Sequence, residues 1–197
     1  SVENSTCCDN TATEHKMMER LMVDTLVSWA KYFKIDSFRF DLMGHIPKAG
    51  LEKVQVALAD LTLANDGVDG ANIYLYGEGW DFGEVAGGQR FEQATQFNMA
   101  GTGIGTFNDR IRSAIRGGNF TDSGRSQGWT SGNELFDNGY TSGSGVNDQA
   151  DRIRIGLTGN LQDYPFVDNG GTTNTGRNYG GVGYALDPQE SVNYVDK

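Results

Sequence analysis

Two carboxylates fall where apolar alternation ends. The stretch Ile35-Asp36-Ser37-Phe38-Arg39-Phe40-Asp41-Leu42 alternates in polarity, the pattern of a strand with two unlike faces. Successive strand side chains point opposite ways. Ser37, Arg39 and Asp41 therefore share one face, and Phe38 and Phe40 the other. A guanidinium beside a carboxylate favours the ionised form, and an ionised carboxylate at a strand end is a candidate nucleophile. The stretch Ala71-Asn72-Ile73-Tyr74-Leu75-Tyr76 repeats the arrangement. Ile73 and Leu75 face one way; Asn72, Tyr74, Tyr76 and, just past the strand, Glu78 face the other. Gly77 and Gly79 flank Glu78 and permit a tight turn with close approach of a ligand. Trp80 and the tyrosines would desolvate the carboxyl and favour its protonated form, as a general acid requires. Adjacent parallel strands lie about 4.8 Å apart. The two carboxyl groups would then approach within roughly 5–5.5 Å, the gap used by retaining glycosidases. The same pattern also fits carboxylates that cap helices or pair with arginine in an ordinary α/β protein.

The elements around these strands are legible from periodicity. Thr11-Ala12-Thr13-Glu14 has capping-box form. Met18, Leu21, Met22, Leu26, Trp29 and Phe33 then form a helical stripe, so a helix is expected from about Ala12 to Phe33. Leu51, Val54, Leu58 and Leu61 mark a second helix after the turn at Gly44–Pro47. Helix, strand, helix, strand points to βαβ units and a parallel sheet, an α/β class. A short strand at Ile104–Phe107, a short helix at Asp109–Ile115, a helix over Asp148–Leu161 and a final strand at Ser191–Val195 follow. Residues 117–147 and Asn169–Gly183 read as long loops. No linker divides the chain into domains.

The chain has 197 residues, with 16 basic and 26 acidic ones and a formal charge of −10. Phosphate binding needs a basic surface, so nucleic acid is excluded as an expected partner. No apolar run reaches the roughly 18 residues of a membrane-spanning helix. Glycine, at 28 residues, is about twice its average share and marks a loop-rich chain. Cys7 and Cys8 are the only cysteines. They are read either as two thiols in a turn or as half-cystines in an oxidising compartment. No zinc cluster is expected near them.

The segments Asp36-Ser37-Phe38-Arg39-Phe40-Asp41-Leu42-Met43-Gly44-His45 and Tyr76-Gly77-Glu78-Gly79-Trp80 resemble pullulanases, starch-debranching members of the α-amylase superfamily, glycoside hydrolase family 13. Ser5-Thr6-Cys7-Cys8, Gln96-Phe97-Asn98, Gly101-Thr102-Gly103-Ile104-Gly105-Thr106-Phe107-Asn108-Asp109-Arg110 and Val192-Asn193-Tyr194-Val195 resemble the family in the same order. The resemblance implies a (β/α)₈ barrel with its site at the C-terminal ends of the strands. Asp41 would end the fourth strand and Glu78 the fifth; Ile104 would mark the sixth and Val192–Val195 the seventh. It further implies that Asp41 is the nucleophile and Glu78 the acid/base, with Arg39, His45 and Trp80 binding substrate. The reaction implied is retaining hydrolysis of α-1,6-glucosidic branch links in pullulan, amylopectin and limit dextrins. No cofactor is required. Calcium is compatible with the family, with no ligands assigned here. An extracellular or cell-surface location is implied.

Ile46 and Ser113 depart from residues common in such enzymes, a His and an Asp; neither position is one of the two carboxylates. Asp109 and Arg110 are expected to form a structural ion pair, and His15 to lie on the surface. The family's third carboxylate, in a His-Asp-Asn motif, would follow Lys197. The first three strands and the eighth are also absent. Residues 1–197 are therefore expected to be an internal piece of one barrel domain, inactive alone, whose partner is the rest of the barrel. The competing expectation is a non-catalytic α-glucan-binding or scaffold protein.

Overall fold

The computed structural model describes residues 4–5, 8–118, 128–130 and 143–195. They form two compact units, Ser1–Thr106 and Phe107–Lys197. The first unit runs α1 (Lys16–Phe33), β1 (Ser37–Phe40), α2 (Lys48–Ala59), α3 (Leu63–Asp66), β2 (Tyr74–Gly77) and the start of β3 (Gly105–Asn108). β1 pairs parallel with β2, and β2 parallel with β3. The order helix, strand, helix, strand is as the periodicity indicates, and a mixed α/β architecture with a parallel sheet results.

Apolar residues of the two long helices cover one face of the first unit's strands. Phe40 of β1, Leu75 of β2 and Ile104 pack with Leu51, Val54 and Leu58 of α2 and Ala30 of α1. Phe38 and Met22, Val23 and Leu26 of α1 border this cluster. The fully buried Leu58 alone contributes roughly 1.5–3 kcal/mol. Between α2 and β2 the chain turns tightly. A Cβ at Gly70 would lie 1.9 Å from the Leu58 carbonyl oxygen, so only glycine fits there.

An ion pair fastens the end of α1 to the α3 turn. Lys31 Nζ lies 2.8 Å from Asp66 Oδ1, and the Thr62 N–H donates to Asp66 Oδ2 at 3.1 Å. The Lys31 bond, aided by the Thr62 N–H, holds the Asp66 carboxyl below its ordinary range. The Asp66 bond holds Lys31 above its own. The carboxyl's contribution is present above the ordinary Asp value of about 3.9 and is lost as pH falls through its lower folded value. The ammonium's contribution is present below about 10.4 and is lost as pH rises through its higher folded value. Asp66→Asn is thus expected to destabilise the chain at neutral pH, with the difference shrinking as pH falls below the ordinary Asp value of about 3.9 and the carboxylate is lost. Urea unfolding across pH checks this; a difference that persists in acid would remove the ion pair from the account.

In the second unit β3 ends beside α4 (Asp109–Arg116), followed by α5 (Gly143–Leu157), β4 (Pro165–Val167), β5 (Thr173–Thr175) and β6 (Ser191–Asn193). Asn108 of β3 caps α4 by accepting the Ile111 N–H at 3.2 Å, and its amide donates to Asn193 of β6 at 2.8 Å. α4 and α5 pack closely: a Cβ at Gly156 would meet the Ile111 side chain at 2.8 Å. β4 and β5 form an antiparallel hairpin inside the stretch read as a loop. Its strands are three residues long and polar in β5, which leaves no alternation to detect. The Asp109–Arg110 pair is present at 3.3 Å.

Several boundaries differ from expectation. α1 starts at Lys16, its N-cap is His15, and no side chain caps it. The Thr11–Glu14 signature therefore does not form a capping box. β1 and β2 are four residues each, because a short 3-10 turn over Gly70–Asn72 takes the start of the second expected strand. The helix read over Asp148–Leu161 lies at Gly143–Leu157. Most of the expected loop 117–147 lies outside the described residues. Cys8 is disulfide-bonded, which decides between the two readings of the thiols; Cys7 lies outside the described residues.

Candidate active site

β1 and β2 set the level at which the two carboxylates emerge. Arg39 stands opposite Tyr76, and Phe40 opposite Gly77. The Glu78 N–H donates to the Phe40 carbonyl at 3.1 Å, carrying the ladder one residue further. Asp41 and Glu78 therefore leave neighbouring parallel strands together. Phe40 and Leu75 turn into the core, while Arg39, Tyr74 and Tyr76 occupy the other face. Tyr74 and Tyr76 stack there, with ring centroids 5.5 Å apart.

Arg39 joins the carboxylates. Its Nη1 donates to Asp41 Oδ1 at 2.5 Å and its Nη2 to Glu78 Oε1 at 2.7 Å. A planar guanidinium can serve two carboxylates at once because its donors diverge in a fixed fork. Partial burial disfavours its charge. The bond to Asp41 and the negative charges of Glu78 and Asp41 outweigh that and hold Arg39 above its ordinary range. The second Glu78 oxygen accepts the Leu42 N–H at 2.9 Å. Leu42 has φ 45° and ψ 45°, a left-handed conformation that L-residues rarely adopt. Such a backbone costs of order 1–3 kcal/mol and occurs where a site needs it. Here it folds the chain back so that its N–H meets Glu78. The Gly44 N–H then bonds the Glu78 carbonyl at 2.9 Å. The Asp41 side chain is 77% exposed and that of Glu78 22%. One carboxylate is thus open to attack an incoming centre, and the other is shielded and held on two sides.

The remaining expected residues are placed differently. Trp80 is half-buried, and its carbonyl lies against Gly44, where a Cβ would come within 1.9 Å of it. His45 is 8% exposed and stands edge-on to Phe82 at 4.7 Å. The only ionic neighbour within 4.0 Å of it among the described residues is Glu84. The structure thus brings Arg39, Asp41 and Glu78 together and places the His45 imidazole beside a separate carboxylate. His15 is exposed, as expected. The Glu78 carboxyl accepts from a guanidinium and from a backbone N–H. Sequence reasoning missed Leu42, because a backbone donor carries no residue-type signal. It also missed Glu84, which accepts from Ser5 and from Asn10, residues more than 70 positions earlier.

No family model matches the chain. Individual proteins do. A chloroplastic pullulanase of Arabidopsis thaliana is 44% identical over 205 residues, covering 98% of this chain and 21% of that protein. A Klebsiella aerogenes pullulanase is 44% identical over 209 residues, covering 100% and 18%. The chain is homologous to pullulanases. A Klebsiella pneumoniae PulA solved with maltotriose superposes with a TM-score of 0.87 at 42% identity, over 100% of this pullulanase homologue and 21% of that chain. PulA of Klebsiella oxytoca gives 0.87 at 42%, over 100% and 19%. The homologue spans about a fifth of the length of these pullulanases.

Proposed function

We propose that residues 1–197 are the part of a pullulanase-type (β/α)₈ catalytic barrel that carries strands four to seven. Asp41 is the nucleophile and Glu78 the acid/base; Arg39, His45 and Trp80 bind substrate. The observation that carries this reading is one guanidinium holding both carboxylates at the ends of adjacent parallel strands. Retention uses carboxyl groups roughly 5–5.5 Å apart, a gap that two arms of one guanidinium can span. Glu78 gives its proton to the glycosidic oxygen as the C–O bond breaks, and an Asp41 oxygen bonds to the anomeric carbon. Glu78 then takes a proton from water as the water oxygen bonds to the anomeric carbon and displaces Asp41 as a carboxylate, which leaves Glu78 as the free acid again. Arg39 keeps the Asp41 carboxyl aimed at the reacting centre. The substrate is an α-1,6-branched α-glucan, in line with the pullulanase names of the relatives and the maltotriose complex of one of them. No cofactor enters the chemistry. The Cys8 disulfide supports an extracellular or cell-surface location, because disulfides persist in oxidising compartments.

The test exchanges this segment for the matching segment of a pullulanase and measures reducing-sugar release from pullulan. Turnover by the hybrid, with none by the isolated chain, is expected. Maltotriose binding by the isolated chain beside an inactive hybrid would favour a non-catalytic α-glucan-binding protein instead. In the active hybrid Arg39→Lys is expected to lower kcat on the order of 10²-fold, because a point-like ammonium cannot hold both carboxylates in place. An unchanged kcat would remove Arg39 from the site.

A further inference from the structure

Gln93 lies in the long connection between β2 and β3 and is 1% exposed. A buried amide must place both of its ends, because an unpaired donor or acceptor is costly. Gln93 places them on two separate stretches of main chain. Its Nε2 donates to the Gly44 carbonyl at 2.8 Å, and its Oε1 accepts the Gly88 N–H at 3.0 Å. Its own backbone is fixed as well. Asn98 Nδ2 donates to the Gln93 carbonyl at 2.8 Å. The Lys48 N–H donates to the Glu92 carbonyl at 2.8 Å and the Ala94 N–H to the Ile46 carbonyl at 2.9 Å, which makes an antiparallel bridge of Pro47 and Gln93. The amide is thus anchored before it reaches Gly44.

Gly44 is where this bracket meets the candidate active site. While its carbonyl accepts from Gln93, its N–H donates to the Glu78 carbonyl. Leu42, two residues earlier, donates to Glu78 Oε2. The turn after β1 therefore grips Glu78 twice, once by its main chain and once by its carboxyl. Leu42 holds a left-handed backbone, and such a conformation persists only where its surroundings over-determine it. The bonds from the His45 N–H to Leu42 and from the Ile46 N–H to Met43 lie inside the turn; the Gln93 amide restrains it from outside. Asp41 leaves β1 ahead of the turn and takes its bond from Arg39 of its own strand, so it depends less on this brace. We infer that Gln93 is a positioning residue for Glu78: by holding Gly44 it keeps the Leu42 N–H on the carboxyl, and so keeps the acid aimed at the glycosidic oxygen. The benefit to catalysis rests on the acid/base reading above; the brace itself rests on the contacts alone.

The hybrid enzyme tests this with Gln93→Met, which keeps the volume and removes both amide bonds. Cleavage of pullulan needs a proton from Glu78, whereas an aryl α-maltoside carries a leaving group that does not. Gln93→Met is expected to lower kcat on pullulan about tenfold with KM unchanged, and to change the burst rate on the aryl maltoside by less than about twofold. A loosened fold would depress both rates alike. Gln93→Asn, which keeps an amide one methylene shorter, covers the case in which Gln93→Met misfolds and should show the same selectivity at smaller size. Equal losses on the two substrates, or no loss on pullulan, would overturn the inference. Glu78→Gln is the reference: if it lacks this selectivity, the acid/base assignment falls by itself. Amide hydrogen exchange then judges the brace. Faster exchange at Leu42 and Gly44 in Gln93→Met supports it, and unchanged exchange removes it.

Discussion

Asp41→Asn in the hybrid enzyme is expected to abolish pullulan hydrolysis, lowering kcat by about 10⁴-fold or more, the scale at which loss of a nucleophile or its direct partner is felt. The substitution preserves shape, and an amide still accepts one bond from Arg39. What disappears is the anion that must bond to the anomeric carbon. Glu78→Gln is expected to differ in a diagnostic way. An amide cannot protonate the leaving oxygen, so natural branch links should be cleaved about 10²–10⁴-fold more slowly. An aryl α-maltoside, whose leaving group needs no proton, should still form the glycosyl-enzyme and accumulate it as an initial burst. Mass spectrometry of the trapped peptide should find the sugar on Asp41. Equal losses for both variants on both substrates, or a label on another residue, would reverse the assignment.

Gly77→Ala should show the largest effect of any change outside the carboxylates. A Cβ there would lie 2.5 Å from the Phe40 carbonyl oxygen and 3.0 Å from Met43 Cβ. That oxygen accepts the Glu78 N–H, so relieving the clash moves Glu78 away from β1. Overpacking of this kind costs about 1–3 kcal/mol, and a displaced acid costs on the order of 10²-fold in rate. The urea midpoint and kcat should fall together. Gly50→Ala is the control: its Cβ would meet only Met22 and Ile46 side-chain carbons at 3.7–3.8 Å. In the first turn of α2 the change should be neutral or mildly stabilising. A Gly77→Ala enzyme as active as its parent would mean that the close approach of β1 and β2 does not set the position of Glu78.

Much of the first unit was legible because its signals are periodic. The alternation through Phe38, Arg39, Phe40 and Asp41 assigns both the strand and its faces. The stripe of Leu51, Val54 and Leu58 assigns α2. The pairing of Arg39 with Asp41 follows from their i, i+2 spacing alone. What stayed hidden depends on contacts far apart in sequence or on backbone shape. The second arm of Arg39 reaches Glu78 only once β1 and β2 are in register. Leu42 reads as an ordinary apolar residue, though its left-handed backbone supplies a donor. His45 reads as a substrate contact by its place after β1; that its ring also lies beside Glu84 and Phe82 is something no local pattern shows. The β4–β5 hairpin was missed because three-residue strands in a glycine-rich stretch carry neither period.

The fork at Arg39 makes the two carboxylates inseparable to selection. A residue that served only the nucleophile could drift while the acid stayed put. Here any change of Arg39 reaches both groups, so substitutions at Asp41, Glu78 and Arg39 cannot be independent in their effects, and double-mutant cycles among them should be strongly non-additive. The other holdfasts of Glu78, the Leu42 and Gly44 N–H groups, are main-chain donors that most side-chain replacements leave in place. All of these contacts fall within the single stretch from β1 to Trp80. A designer who transplants that stretch together with Gln93, its register intact, carries the geometry of the pair along with it, whereas one who grafts the two carboxylates alone does not.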